Sequence, residues 1–155
     1  MDWEPPDRHW IRLRGPWEVC WLGEGTPHPP DRVKLPAAWS EVFGRRAGTA
    51  RFVRRFQAPT GLDHDERVCI TLLEFEGDAR CSVNDTTVEP LAVPLGDPGC
   101  WPHERCLSFD ITGLLQPSNQ LTLDITVEDA DAPNAGLHQP VLLEIITPDE
   151  DDAAG

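Results

Sequence analysis

Apolar residues along this chain recur mostly at every second position. Leu121, Leu123, Ile125 and Val127 alternate with Thr122, Asp124 and Thr126, the pattern of a strand with one buried face. Val68, Ile70 and Leu72 alternate with Cys69, Thr71 and Leu73, a run apolar enough to predict a strand buried on both faces. Val141, Leu143 and Ile145 form a similar run between Pro140 and Pro148. Shorter strands are predicted over 17–22, 50–57, 80–84, 87–91 and 106–111. Turn residues punctuate the chain between them, as at Gly23-Glu24-Gly25, Pro59-Thr60-Gly61, Asn84-Asp85 and Pro117-Ser118-Asn119. With 16 prolines and 12 glycines, long helices have no room. The helical hints are a turn or two at 39–43 and 112–115. Eight short strands separated by such turns predict an all-β fold, an antiparallel β-sandwich.

Length and charge narrow the function classes. A chain of 155 residues suits one domain with a real core and is too short for a (β/α)₈ barrel of about 250 residues. The expected organisation is an N-terminal arm over 1–9, a sandwich over 10–147 and an acidic disordered tail over 148–155. No apolar run approaches the roughly 20 residues of a membrane span, and the first residues lack the basic, then apolar start of a signal peptide. Five cysteines, an odd number, fit reduced thiols in a cytoplasmic protein. The net charge is −14. It is split, at +3 for residues 1–56 and −17 for the remainder. Such an acidic excess argues against nucleic acid as a partner. The cluster Arg45, Arg46, Arg51, Arg54 and Arg55 is expected to pair with the acidic second half rather than form a phosphate-binding patch.

A series of motifs follows the same order as the strands. They are Arg14-Gly15-Pro16-Trp17-Glu18-Val19, Val33-Lys34-Leu35-Pro36-Ala37-Ala38-Trp39 and Arg51-Phe52-Val53-Arg54-Arg55-Phe56-Gln57-Ala58-Pro59. Phe75-Glu76-Gly77, Ser82-Val83-Asn84-Asp85, Phe109-Asp110-Ile111-Thr112, Asn119-Gln120-Leu121 and Gly136-Leu137-His138-Gln139-Pro140-Val141 come next. Together, over about residues 10–147, they resemble the N-terminal sugar-binding domain of family 2 glycoside hydrolases. These are the β-galactosidase, β-glucuronidase and β-mannosidase enzymes. The resemblance implies a galactose-binding-like jelly roll. It also exposes departures. Val83-Asn84-Asp85 stands for Val-Asn-Gly, a change a tight turn tolerates because Asp enters the left-handed region. The loop 96–103 replaces a Gly-Gly-Tyr loop, and His138 replaces a Trp. The family's immunoglobulin-like domain and catalytic barrel have no counterpart, and the two glutamates of that barrel carry the chemistry. The expectation is therefore no enzyme, unless a separately encoded barrel completes a split glycosidase.

Sugar recognition calls for an aromatic face and for amides or carboxylates that bind hydroxyls. Trp101, Asn84, Asp129, Asp131 and His138 are the candidates for one rim of the sandwich. The resemblance implies that Asn84 occupies the place of an Asn that reaches the neighbouring barrel in β-galactosidases, with a similar precedent near Asp129. The alternative is that Asn84 only makes its turn and the aspartates cap a loop. Trp17, Trp21 and Trp39 read as core. Cys100, His103 and Cys106 have a spacing zinc accepts, and Cys81 could complete the set. Without a second cysteine pair of that kind, isolated thiols are the expected state, and no metal is assigned. A Cys100–His103 nucleophile pair lacks an orienting third group. The acidic stretch 127–131 is a conceivable structural calcium site, but it lacks regular ligand spacing. A solvated loop and no cofactor are expected. The reading is a non-catalytic carbohydrate-binding or accessory module. The alternative is a protein-interaction or assembly domain that kept the sandwich and lost the sugar. The partner is a carbohydrate or a protein, with no membrane, and the oligomeric state stays open.

Overall fold

The computed structural model describes residues 8–22, 32–35, 37, 39–43, 46–62, 65–73, 77–91, 106–129, 136–137 and 141–146, with backbone only at 8–10, 73 and 106. Ten strands lie in this part of the chain: β1 (Arg8–Arg12), β2 (Trp17–Trp21), β3 (Arg32–Val33), β4 (Gly48–Gln57), β5 (Arg67–Leu73), β6 (Asp78–Val83), β7 (Thr86–Val88), β8 (Cys106–Asp110), β9 (Ser118–Val127) and β10 (Val141–Ile146). One short helix, α1 (Trp39–Phe43), and a single 3₁₀ turn at Thr112–Leu114 complete the elements, both where the helical hints fell. Among the described residues, no helix is long and apolar enough to cross a membrane.

The strands form two antiparallel sheets, one of four strands in the order β1-β10-β5-β8 and one of six in the order β3-β2-β4-β9-β6-β7. The fold is an all-β sandwich, as predicted. The longest pairing joins β4 to β9 from Gly48↔Val127 to Gln57↔Ser118. Strict alternation in β9 makes this possible, since Asn119, Leu121, Leu123, Ile125 and Val127 are buried and the residues between them are not. The core lies between the sheets. Trp17, Phe52, Leu121, Leu123 and Ile125 of the larger sheet belong to one cluster with Val68, Ile70, Phe109, Val141 and Leu143 of the smaller. Burying each such aliphatic or aromatic side chain stabilises the fold by roughly 1.5–3 kcal/mol. An aromatic group extends this core, with ring centroids 6.0 Å apart for Trp21–Trp39, 5.1 Å for Trp21–Phe43 and 4.6 Å for Trp39–Phe43.

The apolar run 68–72 is buried on both faces, as its composition predicts. On the side away from the core, Cys69, Thr71, Ser108, Leu142 and Glu144 are all buried. The polar members there are hydrogen bonded. The Thr71 and Ser108 hydroxyls lie 2.9 Å apart, and Thr71 also donates to the Glu144 carboxylate through a very short contact.

Two strands depart from the predicted eight. β1 takes in Arg8 and His9 of the expected arm, and its sequence Arg-His-Trp-Ile-Arg has no period-2 signal. It is an edge strand beside β10, and Ile11 is exposed, so sequence alternation never had to specify it. β3 is only two residues long, too short to leave a pattern. β7 stops at Val88 rather than Leu91, two residues short of Pro90, which has no N–H to give a ladder.

Candidate carbohydrate-binding surface

The two described candidates for the sugar rim sit far apart. Asn84 and Asp85 form a two-residue turn between β6 and β7, closed by the pair Val83↔Thr86. Both have positive φ, 51° and 69°, the backbone of a tight β-hairpin. The Asn84 side chain turns into the fold. Its Nδ2 donates to the Leu114 carbonyl at 3.2 Å and to Asn119 Oδ1 at 2.9 Å, and its Oδ1 accepts the Gln120 N–H at 2.9 Å. Asn119 is buried and bonds both main-chain groups of Gln116, at 2.8 and 2.7 Å. The amide of Asn84 is thus held by a clasp that ties the hairpin to the start of β9, the geometry of the turn-making alternative. Asp129 is exposed and follows the other end of β9. From Gln120, beside Asn84, to Val127 the strand runs about 23 Å. The structure does not bring Asn84 and Asp129 to one rim. Trp101, Asp131 and His138 lie outside the described residues.

Trp17, Trp21 and Trp39 are buried, as their core reading requires. The indole N–H of Trp17 donates to the Leu13 carbonyl at 2.8 Å and that of Trp39 to the Arg46 carbonyl at 2.7 Å. Of the zinc candidates, Cys100 and His103 lie outside the described residues, and Cys106 is described only as backbone in β8. Cys81 belongs to the hydrophobic cluster, and burial pushes its thiol up to about 12. Its place is in the packed interior between the sheets, paired across β6 and β9 with Leu123. No group of three metal-ligating side chains occurs among the described residues. Cys20, Cys69 and Cys81 form no disulfide.

A feature the sequence reasoning missed lies on the outer face of the larger sheet. Register places Arg32 opposite Glu18 and Glu18 opposite Val53, and Cys20 opposite Arg51 in the next row. Two adjoining depressions open there, of about 450 and 400 Å³, and both are lined by Glu18, Arg32 and Val53. Arg51 lines the first, and Arg54, Arg55 and Gln120 line the second. Arg51 is bound to Asp124 through two contacts of 2.8 and 3.0 Å, so its pKa is raised by that hydrogen bond and that charge. Arg54 is half-buried, donates to the Arg55 carbonyl at 3.1 Å, and has its pKa lowered by burial. Arg32, Arg54 and Arg55 form no salt bridge among the described residues. The expected pairing of the arginine cluster with the acidic half therefore holds for Arg51, while Arg54 and Arg55 find no carboxylate among the described residues and Arg45 lies outside them. β9 presents one carboxylate to β4, at Asp124, and sets Thr122 and Gln120 opposite Val53 and Arg55.

The architecture defines the class of the chain, a galactose-binding-like jelly-roll sandwich. Within that class it is structurally related to β-glucuronidases of glycoside hydrolase family 2, as the ordered motifs implied. It is similar to an FMN-binding β-glucuronidase from Faecalibacterium prausnitzii L2-6, with 25% identity and a TM-score of 0.65 over 91% of this chain and 23% of that one. It is also similar in fold to the β-glucuronidase of Bifidobacterium dentium complexed with coumarin-3-O-glucuronide, at 16% identity and TM-score 0.65, covering 92% of this chain and 31% of that one. The Lactobacillus rhamnosus β-glucuronidase matches at 14% identity and TM-score 0.66, over 91% and 29%. The chain thus spans less than a third of the length of these three proteins, and their remaining length has no counterpart in its 155 residues. No protein-family model and no curated protein sequence matches it.

Proposed function

We propose that this glycosidase-related sandwich is a non-catalytic carbohydrate-binding or accessory module. The observation that carries the reading is the match, across nine-tenths of the chain, to one part of a β-glucuronidase. The polar groove on the larger sheet adds hydrogen-bonding groups to a fold that in those relatives belongs to a carbohydrate-processing enzyme. Calorimetric titration against galactosides, glucuronides and mannosides tests it. Binding in the micromolar to millimolar range supports the proposal. No heat of binding at millimolar sugar, with the far-ultraviolet spectrum of a folded β protein, overturns it. The second reading, a protein-interaction or assembly domain, rests on the relatives' length. There this fold accounts for under a third of a longer chain and has other domains to contact. A stable complex with a separately encoded glycosidase barrel would favour that reading.

A further inference from the structure

We infer that the groove formed by β2, β3 and β4 binds the carboxylate of an acidic sugar, with Arg32 and Arg55 gripping the carboxylate and Glu18 and Gln120 taking ring hydroxyls. The inference rests on the carbohydrate-binding reading above and gives it a place and a ligand class.

The charge of the groove runs against that of the molecule. The protein carries a net −14, yet Arg32 and Arg55 line one depression from the outer face of the sheet, with Arg54 at its margin and Glu18 as the one acidic residue among the described lining. None of the three arginines is paired with a carboxylate among the described residues. Arg54 is partly withdrawn from water, and that burial lowers its pKa. Guanidinium groups that outnumber the one carboxylate beside them repel, and a bound anion relieves that repulsion. A guanidinium offers a planar fork of N–H donors that matches a carboxylate in two parallel hydrogen bonds.

The remaining lining selects among anions. Glu18 and the nearby Asp124 repel a polyanion, as does the overall charge, so a nucleic acid or a heavily sulfated chain fits poorly. Glu18 is an acceptor and the Gln120 side chain is both donor and acceptor, which suits hydroxyls next to a single carboxylate. Val53 lines both depressions and supplies an apolar contact for a C–H face. The volumes, about 450 and 400 Å³, lie in the range of small-ligand sites and suit one or two sugar rings. A hexuronic acid has all three features: one carboxylate, several hydroxyls and an apolar ring face.

The test is calorimetric titration of the full chain with D-glucuronate, D-galacturonate, D-glucose, inorganic sulfate and a glutamate-rich peptide, at 50 and 500 mM salt. The expected result is binding of a uronate at least tenfold tighter than glucose, weakened at high salt. The double variant Arg32→Gln/Arg55→Gln should lose that preference while keeping the wild-type unfolding midpoint, because both side chains are exposed. Sulfate or peptide binding at this groove tighter than the uronates overturns the inference. Uronate binding that persists unchanged in the double variant overturns it as well. Neutral sugars binding as tightly as uronates, unaffected by the variant, overturns the groove assignment and leaves the carbohydrate-binding module standing. No sugar binding at all removes both.

Discussion

Replacing Asn84 by Gly separates a turn-making role from a ligand role. Gly adopts the positive φ of 51° at this position at least as easily as Asn, so the turn itself tolerates the change. The variant loses three side-chain hydrogen bonds, at 3.2, 2.9 and 2.9 Å. Partly buried bonds of this kind contribute about 1 kcal/mol each. Asn119 Oδ1 keeps the Gln116 N–H at 2.8 Å and is not orphaned, which limits the loss. The greater backbone freedom of Gly in the unfolded chain costs about 0.5–1 kcal/mol more, offset by relief of the left-handed Asn. The net is a destabilisation of about 2–3 kcal/mol. For a domain of this size that lowers the thermal midpoint by about 4–12 °C. Urea denaturation followed by tryptophan fluorescence should give the same difference with an unchanged slope. A double-mutant cycle with Asn119→Ala should show coupling of at least about 0.5 kcal/mol. A midpoint within about 2 °C of wild type, with no coupling to Asn119, would refute the clasp and return Asn84 to the list of ligand residues.

Other perturbations probe different parts of the sandwich. Thr71→Val keeps the shape of a fully buried side chain but strips the hydroxyl that serves Ser108 and Glu144; urea unfolding should show a loss of about 2–3 kcal/mol. Gly48→Ala places a Cβ 2.6 Å from the Trp21 ring at a φ of 151°, so the thermal midpoint should fall by several degrees and near-ultraviolet tryptophan dichroism should change. For Asp110, burial alone would raise the pKa, but hydrogen bonds from the Thr112 hydroxyl and N–H and the Arg67 pair together hold it below the ordinary carboxylate value. A carboxyl with a depressed folded pKa contributes stability above about pH 4 and loses it as the pH falls through the folded value. The wild type should therefore lose stability more steeply below pH 4 than Asp110→Asn, as read from thermal midpoints between pH 2 and 6.

Strands were legible where one face is apolar and the other polar, or where both are apolar. β9 with its Leu121–Val127 alternation and β5 with its Val68–Leu72 run show each case. They are also the strands that carry the core. β1 and β3 left no such signature, because an edge strand or a two-residue strand is specified by its neighbour's ladder rather than by its own pattern. The tryptophans were legible for the same reason, since Trp17 and Trp21 share a strand face. The candidate site was less so. Motif order suggested that Asn84 and Asp129 share a rim, but sequence order does not reveal which end of a ten-residue strand each one meets. The arginine groove was hidden because Arg32, one of its four lining arginines, comes from β3, whose place beside β2 only the fold supplies.

Topology explains why the charge split along the sequence is not neutralised in space. A net charge of +3 over residues 1–56 against −17 over the rest would cancel most fully if basic and acidic strands alternated in a sheet. The six-stranded sheet instead runs β3-β2-β4-β9-β6-β7, keeping the three strands from the basic segment side by side and letting only β4 touch the acidic portion. Across that border of the larger sheet Arg51 finds Asp124 in direct register, whereas Arg55 meets Gln120. Arg32, two strands from the border, meets Glu18 without closing an ion pair. A basic patch therefore survives on an acidic protein because of strand order. Lengthening the acidic border tests this directly: Gln120→Glu sets a carboxylate opposite Arg55. It should raise stability by at most about 1 kcal/mol, as exposed pairs do, while weakening uronate affinity several-fold by filling the cationic demand from within. Equal or tighter uronate binding by Gln120→Glu would show that the unpaired arginines are not what the ligand answers.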